Sequence, residues 1–418
     1  MRVSSISIVL IAALFLGNEC ARADETAPAT SPAPAALSVS PEIESVVKGN
    51  NEFAFDLFSR LQKESKGNLF FSPFSISTAL AMTYAGARDG TEQQMAQVLH
   101  FPADQAQLHP AMAKLMAGLL NPGEKKPPYE LSVANALWGA KGADFLKEFL
   151  DLNRRNYKAG LTTLDFAGDT EGARKTINAW VEKETRDKIK ELIKPGMLDG
   201  LTKLVLTNAI YFHGDWMNQF KKDQTHDAPF TLDDGSQVSV PMMHQREKFN
   251  YVERPDWKAL ELPYVGGDLS MILLLPAAPE GMATLEEQLP AHFEDGTAHM
   301  RKIEVNVSLP RFKVAAQFEL AKTLAEMGMP AAFSGQVDFS GMDGRKDLYI
   351  SKVIHKAYVD VNEQGTEAAA ATAVVVRATA TRPIFFNADH PFLFLIRDNR
   401  TKSILFLGRL ADPRPSAE

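Results

Sequence analysis

Residues 362–391, NEQGTEAAAATAVVVRATATRPIFFNADHP, lie between two strand-like segments and decide the fold. The strand before them ends near Val361 and the next begins near Phe392, so roughly 30 residues form the connection, where about 4–6 are usual. A connection of this length in a compact domain is typically either disordered or functional. Its composition differs from that of a flexible linker, because a run of alanines and valines follows Gly365 and Thr366.

This run has the alternation of a β-strand. Its only two charges, Glu367 and Arg377, fall on one face, and small or β-branched residues fall on the other. We therefore expect that one face can be buried between existing strands without burying a charge, and that Gly365 absorbs the turn that starts the segment. A mobile alanine-rich loop without a role is the alternative. The uncharged face comprises Thr366, Ala368, Ala370, Thr372, Val374 and Val376.

The composition is that of a globular protein with a large core. The chain has 418 residues, of which 45% are hydrophobic and 23% are charged, and its formal net charge is −7. Long runs of lysine and arginine are absent from the sequence, so we expect no nucleic-acid partner. We also expect no membrane association, because no apolar run beyond the N-terminus is long enough to cross a bilayer.

The N-terminus is typical of a secretory signal peptide. Arg2 provides a positive charge, residues 6–16 form a short apolar core, and Ala21-Arg22-Ala23 forms a cleavage site. Residues 1–23 are therefore predicted to be removed, which makes the protein secreted, either extracellular or periplasmic. The single cysteine, Cys20, leaves with this segment, so the mature chain has no disulfide and no thiol nucleophile.

The mature chain is predicted to contain one folded domain. Residues 24–41 are rich in Ala, Pro and Ser and form an extended linker. Residues 42–413 contain no internal repeat and no second linker, and residues 414–418 form a short tail. Helical and strand patterns alternate without regular βαβ spacing, which predicts an α+β fold with mainly antiparallel sheets.

Periodicity and capping signals predict individual elements. Phe53, Leu57, Phe58 and Leu61 share one helical stripe. We also expect Ser72 to cap a helix that has Pro73 at its first position, a capping box at residues 91–94, a helix over 170–190 with Ile177, Trp180 and Val181 buried, one strand over 301–314, and a helix over 318–327.

Four segments resemble the serpins, the serine protease inhibitor superfamily. These are NLFFSPFSI at 68–76, LTNAIYFHGDW at 206–216, EQGTEAAAAT at 363–372 and DHPFLF at 389–394. The likeness extends over residues 45–413. It implies a single domain of three mainly antiparallel β-sheets with about nine α-helices and an exposed reactive-centre loop.

The resemblance also implies a suicide-substrate mechanism, in which insertion of a loop into a β-sheet releases stored strain. A protease attacks the loop and forms an acyl-enzyme, and the freed loop then inserts into the central sheet before deacylation. Such a protein is not an enzyme, needs no cofactor, and is expected to act as a monomer on its target protease. The hinge and inserting segment are Glu363, Gly365, Thr366, Glu367, Ala368, Ala369, Ala370, Ala371 and Thr372.

Family loops usually carry the scissile bond sixteen residues after the hinge glutamate. Counting from Glu363 places it at Thr379–Ala380, which suits an elastase-like or subtilisin-like protease. Arg377–Ala378 is the second choice and would suit a trypsin-like protease, although the inserted strand would be shorter. Arg382 is a poor candidate because Pro383 follows it.

A sheet-opening cluster is implied as well. His355 shares a strand face with apolar residues, which predicts a buried, hydrogen-bonded histidine rather than a catalytic base. The resemblance groups it with Ser72, Ser75 and Asn208 in a polar cluster beneath the point where the sheet opens, and it places Trp216 near the loop's point of entry.

Two other functions remain as alternatives. The first is a non-inhibitory serpin that binds or carries a ligand, and the second is a secreted hydrolase. The sequence has no G-x-S-x-G, H-E-x-x-H or P-loop motif, and its nine histidines show no metal-ligand spacing, so no metal site is expected.

Overall fold

The computed structural model describes residues 39–120, 128–365 and 382–415. These residues contain ten α-helices: α1 Pro41–Glu64, α2 Pro73–Tyr84, α3 Asp89–Val98, α4 Gln105–Leu120, α5 Lys147–Tyr157, α6 Thr170–Glu184, α7 Met282–Glu287, α8 Leu289–His299, α9 Ala321–Met327 and α10 Ser340–Asp343. They also contain fourteen strands: β1 Leu69–Phe71, β2 Tyr129–Ala140, β3 Leu161–Leu164, β4 Leu204–Gly214, β5 His226–Thr231, β6 Gln237–Glu253, β7 Trp257–Pro263, β8 Leu269–Pro276, β9 Arg301–Pro310, β10 Phe312–Glu319, β11 Ile350–Val361, β12 Phe385–Asn387, β13 Phe392–Asp398 and β14 Ile404–Leu410.

The sheet that bears on function has five strands in the order β10-β11-β4-β2-β3. Its centre is β4, in which every residue except His213 is buried. β4 runs antiparallel to β2 but parallel to β11, and β11 runs antiparallel to β10. The chain therefore places two parallel neighbours at the middle of this sheet.

The other strands form one nine-stranded sheet rather than two separate sheets. Its order is β1-β14-β13-β8-β7-β6-β9-β12, and β5 pairs with β6. The 17-residue β6 pairs with β5 and β9 and also with β7, so it joins what would otherwise be two sheets. The described residues thus form two hydrogen-bonded sheets where three were expected, whereas the α+β class and the mainly antiparallel pairing are confirmed.

Two apolar cores lie on the two faces of the five-stranded sheet. The larger contains α1 and α2, and all four residues of the predicted α1 stripe are buried in it. Residues of α2 are buried along its whole length, which fixes this helix behind the sheet. On the other face, α6 packs Ile177 and Val181 against Val205 and Ile354 of the sheet, whereas Trp180 is only partly buried.

Two helix predictions need correction. The first is the capping box, because α3 begins at Asp89 and includes residues 91–94 in its body. The Thr91 hydroxyl instead accepts a hydrogen bond from the backbone N–H of Asp338 at 2.8 Å, so it serves a tertiary contact. The second is the long helix over 170–190, since α6 ends at Glu184. Helix α4 was not predicted.

The expected single strand over 301–314 is two strands in different sheets. Strand β9 pairs with β6 as far as Pro310, and β10 pairs with β11 from Phe312 onward, so the chain changes sheets at Arg311. The pairing of β10 with β11 also keeps residues 318 and 319 extended, and the following helix begins at Ala321 instead of Phe318.

Candidate functional site

The two central strands separate at one end of the five-stranded sheet. The parallel register between β11 and β4 ends at Tyr358 and Tyr211. Beyond that pair, β11 stays paired with β10 as far as Val361, and β4 stays paired with β2 as far as Gly214. Beyond their last shared pair, β11 still pairs with β10 and β4 still pairs with β2, but β11 and β4 no longer pair with each other. A wedge therefore opens between β4 and β11.

The hinge segment lies at the mouth of this wedge. Asn362 and Gly365 form an isolated β-bridge, which turns the chain back over the end of β11. Gly365 has φ +110°, and a Cβ atom there would overlap the carbonyl oxygen of Gly214 and the backbone nitrogen of Trp216. Only glycine fits this position, because both the backbone conformation and the space exclude a side chain.

Backbone hydrogen bonds fix the hinge to the segment that follows β4. The N–H of Trp216 donates to the carbonyl of Gln364 at 2.9 Å, and the N–H of Phe220 donates to that of Glu363 at 2.8 Å. The indole Nε1 of Trp216 donates to the carbonyl of Asn362 at 3.0 Å. The hinge therefore starts from a defined position at the sheet.

Trp216 lies at the hinge, apart from the polar cluster of Ser72, Ser75, Asn208 and His355. Its indole is buried and stacks on Tyr264 at a centroid distance of 4.6 Å and an interplanar angle of 13°. Trp216 lies beyond the end of β4 and eight residues from Asn208, which corresponds to about 26 Å in an extended chain. Trp216 therefore lies directly beside the hinge residues Asn362 and Gln364, and its place at the loop's point of entry stays a prediction.

Glu363 anchors the hinge through its side chain. The residue is only 2% exposed, and its Oε1 accepts hydrogen bonds from Arg311 Nε at 2.7 Å and from the Thr225 hydroxyl at 2.6 Å. Burial alone would raise the pKa of Glu363, but these two hydrogen bonds and the charge of Arg311 more than offset it and lower the pKa. Arg311 and Thr225 have no local signal in the sequence, because both reach Glu363 through tertiary packing.

The polar cluster crosses the seam between β4 and β11. His355 and Asn208 are register partners, and both are buried. The N–H of Ser72 donates to His355 Nε2 at 3.1 Å, so the ring proton is on Nδ1, which donates to Asn208 Oδ1. Burial lowers the pKa of His355 to about 3, so the ring is neutral in the folded protein at neutral pH.

The two serines connect this pair to the start of α2. The Ser72 hydroxyl caps the helix by accepting from the N–H of Ser75 at 3.1 Å, and it donates to the carbonyl of Leu405 at 2.6 Å. Asn208 Nδ2 donates to the Ser75 hydroxyl and to Asn135 Oδ1. The structure thus brings together all four predicted polar residues and adds Asn135, which lies opposite Asn208 on β2.

The predicted scissile bonds lie outside the described residues. These bonds are Thr379–Ala380 and Arg377–Ala378, and the inserting residues 366–372 lie outside as well. The same holds for the predicted signal peptide and for most of the predicted linker. The scissile bonds, the inserting segment, the signal peptide and most of the linker therefore stay predictions from the sequence.

The described part of the chain has neither a membrane span nor a metal cluster. Within residues 39–120, 128–365 and 382–415, no helix is long and apolar enough to cross a membrane. In the same described residues, no group of three or more His, Cys, Asp or Glu side chains could hold a metal ion.

Residues 48–413 match the family model described as Serpin (serine protease inhibitor), and the chain belongs to this family. Leukocyte elastase inhibitor from Bos taurus is 46% identical over 382 residues, which cover 89% of this chain and 100% of the relative. The human leukocyte elastase inhibitor is 45% identical over 383 residues, with the same two coverages. The expectation that the chain is not an enzyme agrees with a family of protease inhibitors.

A solved structure supports the same fold. Serpin48 from the insect Tenebrio molitor aligns with a TM-score of 0.80 and 33% identity, and the alignment covers 90% of this chain and 100% of that chain. The expected serpin fold is therefore confirmed.

Proposed function

We propose that this serpin inhibits a serine protease as a suicide substrate, by inserting its cleaved loop between β4 and β11. The observation that carries the proposal is the wedge between these strands, with Gly365 at its mouth. The leukocyte elastase inhibitors among the relatives support the same function.

The reaction begins with ordinary acyl transfer. The hydroxyl oxygen of the protease serine attacks the carbonyl carbon of Thr379, the amide bond to Ala380 breaks, and the new amine of Ala380 leaves with a proton. The segment before the bond stays attached to the hinge on one side and to the protease, through an ester, on the other. On the inhibitor, this segment is then continuous with the hinge at Gly365.

The strand directions favour insertion. Because the hinge reverses the chain at the end of β11, a strand that enters the wedge runs antiparallel to both β11 and β4. One parallel ladder would be replaced by two antiparallel ladders, which are slightly more stable per residue. Insertion would also bury Thr372, Val374 and Val376, which share the uncharged face.

The lengths of the strands match the length of the loop. β4 has 11 residues and β11 has 12, and 12 inserted residues would extend from Thr366 to Arg377, or about 40 Å. A protease bound at Thr379 would then be carried to the far end of the sheet. A bond at Arg377–Ala378 would make the segment between the hinge and the ester two residues shorter, with no residue left between the inserted strand and the protease, so the trap would be weaker.

We propose an elastase-like or subtilisin-like protease as the target, with a trypsin-like protease as the second choice. The small residues at Thr379–Ala380 favour the first class, and the leukocyte elastase inhibitors among the relatives support it. The inhibitor would act as a monomer without a cofactor, nucleic acid or membrane.

We also propose that the protein is exported. The support is the signal-peptide pattern of residues 1–23, with cleavage after Ala23. Expression in a secreting host and N-terminal sequencing of the exported protein test this directly. A mature chain that begins at Asp24 is expected, and retention of Met1 inside the cell would contradict the proposal.

The inhibitory function is tested by mixing the protein with leukocyte elastase, subtilisin or trypsin and examining the products on denaturing gels. A stable covalent complex is expected, with a released fragment that begins at Ala380. Thr366→Arg should abolish the complex, because Thr366 is the first residue to insert and lies on the uncharged face, which insertion would bury. Glu367→Arg is the matched control, because it changes the next residue, on the charged face. Cleavage by all three proteases without any complex would contradict the function.

A carrier function is the second candidate. Human thyroxine-binding globulin, solved with its ligand, aligns with a TM-score of 0.82 and 30% identity, over 90% of this chain and 100% of that chain. This likeness shows that ligand binding occurs on the same fold. In that case Thr366→Arg would change neither ligand binding nor the products formed with proteases.

A further inference from the structure

Phe385 is an exposed aromatic residue next to the reactive loop. Its residue surface is 50% accessible, and it is the only aromatic among the large apolar side chains that are exposed in the described part of the chain. It lies in β12, the first strand after the loop. The other exposed residues of this kind are Leu146, Leu201, Met217 and Val265.

The backbone around Phe385 is fixed, so the ring cannot turn inward. Phe385 is the register partner of Asn306 on β9. The carbonyl of Ile384 accepts from both the N–H and the Nδ2 of Asn306, at 2.9 and 3.1 Å. Phe386 is fully buried on the opposite face of the strand. Because neighbouring residues of a strand face opposite sides, burial of Phe386 keeps Phe385 in solvent.

Two more of the exposed apolar residues lie at the other anchor of the loop. Met217 directly follows Trp216, which holds the hinge, and the N–H of Val265 donates to the carbonyl of Asp215 at 2.7 Å. Three of the five exposed residues therefore flank the two fixed ends of the loop. Single exposed apolar residues need no explanation, but their concentration at one functional segment does.

Phe385 is close enough to the predicted bond to be covered by a bound protease. Phe385 lies five positions after Ala380, and a chain of this length spans at most about 18 Å. A protein interface of ordinary size covers about 800 Å² on each partner, which corresponds to a disc with a radius of about 16 Å. A protease centred on Thr379–Ala380 therefore extends to Phe385 or its immediate surroundings.

We propose that Phe385 is a docking residue for the target protease, contacting an apolar part of the protease surface beyond its catalytic cleft. This inference rests on the proposed function, because it takes the loop as the substrate of that protease. The fixed strand presents the ring without further loss of backbone freedom, so the contact accelerates productive association.

The test measures the second-order rate constant for consumption of the intact inhibitor by leukocyte elastase or subtilisin, counting both complex and cleaved product. Phe385→Ala should lower it about five- to thirtyfold, as expected for truncation of an aromatic interface residue. Phe385→Leu should restore most of the rate. Leu201→Ala is the control. Leu201 is 76% exposed and lies just before the first residue of β4, and that end of β4 is about 35 Å from the hinge.

The outcomes separate the two proposals. If Phe385→Ala reacts at the wild-type rate, or if Leu201→Ala slows the reaction equally, the docking role is wrong. If the wild-type protein is consumed without forming a covalent complex, the inhibitory function is wrong. The ratio of the two consumption rates still reports docking in that case, because docking precedes the choice between trapping and release. Equal thermal midpoints of the variants show that the fold is intact.

Discussion

Acid should weaken the seam between β4 and β11 through His355. Burial lowers the pKa of this ring from 6.5 in the unfolded chain to about 3 in the folded protein, so folding favours the neutral form of the ring. The free energy of unfolding therefore has its full value above the unfolded pKa of 6.5, and it decreases as the pH falls toward 3. One pKa unit corresponds to about 1.4 kcal/mol, so the full loss is about 5 kcal/mol, and about 3 kcal/mol is lost by a pH of roughly 4.5.

The assay compares urea unfolding of the wild-type protein and His355→Gln at about pH 7 and about pH 4.5. The wild type should lose about 3 kcal/mol more stability than the variant over this range, because only the wild type must protonate a ring at this site. His109, which is also buried with a pKa of about 4, contributes equally to both proteins and cancels. Equal pH dependence in the wild type and His355→Gln would refute the reasoning.

Further substitutions give three more tests by urea unfolding at neutral pH. Gly365→Val should cost at least about 2 kcal/mol, because its Cβ overlaps backbone atoms and its φ is positive; a cost near zero would contradict the hinge geometry. Glu363→Gln should cost about 1.5–3 kcal/mol, since Arg311 loses a charged acceptor, and Arg311→Gln should then add little in the double variant. Asn208→Ala should cost about 1–3 kcal/mol by leaving the His355 Nδ1–H without its acceptor, and an unchanged stability would show that this bond contributes nothing.

The sequence correctly predicted the elements that depend on residues close together in the chain. Ser72 caps α2, and Pro73 occupies its first turn, because both effects act within four residues. The α1 stripe was predictable for the same reason. The capping box at residues 91–94 failed because Thr91 serves the backbone of Asp338, 247 residues away in sequence. The break at Arg311 was equally hidden, since it depends on which sheet each half of the segment joins.

The same distinction between local signals and long-range contacts applies to the candidate functional site. Ser72, Ser75, Asn208 and His355 were identified by resemblance, and the structure supplies the hydrogen bonds that connect them. Asn135 was missed because its only relation to Asn208 is the register between β2 and β4. An asparagine in a strand has no local signal for such a partner. Predicting it would have required the strand order, which the sequence pattern leaves open.

The hydrogen-bond pattern of the polar cluster explains how the seam can be closed in the native state and still open. Only the contact between His355 and Asn208 crosses from β11 to β4 among the described side chains of this cluster. The bond from Ser72 to His355 connects α2 to β11, and the bond from Asn208 to Ser75 connects α2 to β4. When a strand enters, the crossing bond must break, but each side keeps a partner on α2. The two groups that are released are a donor and an acceptor, which the backbone of the entering strand can satisfy. Besides the backbone ladder, an apolar pair at this place would lose its packing on opening, whereas the pair of His355 and Asn208 exchanges a single side-chain hydrogen bond for others.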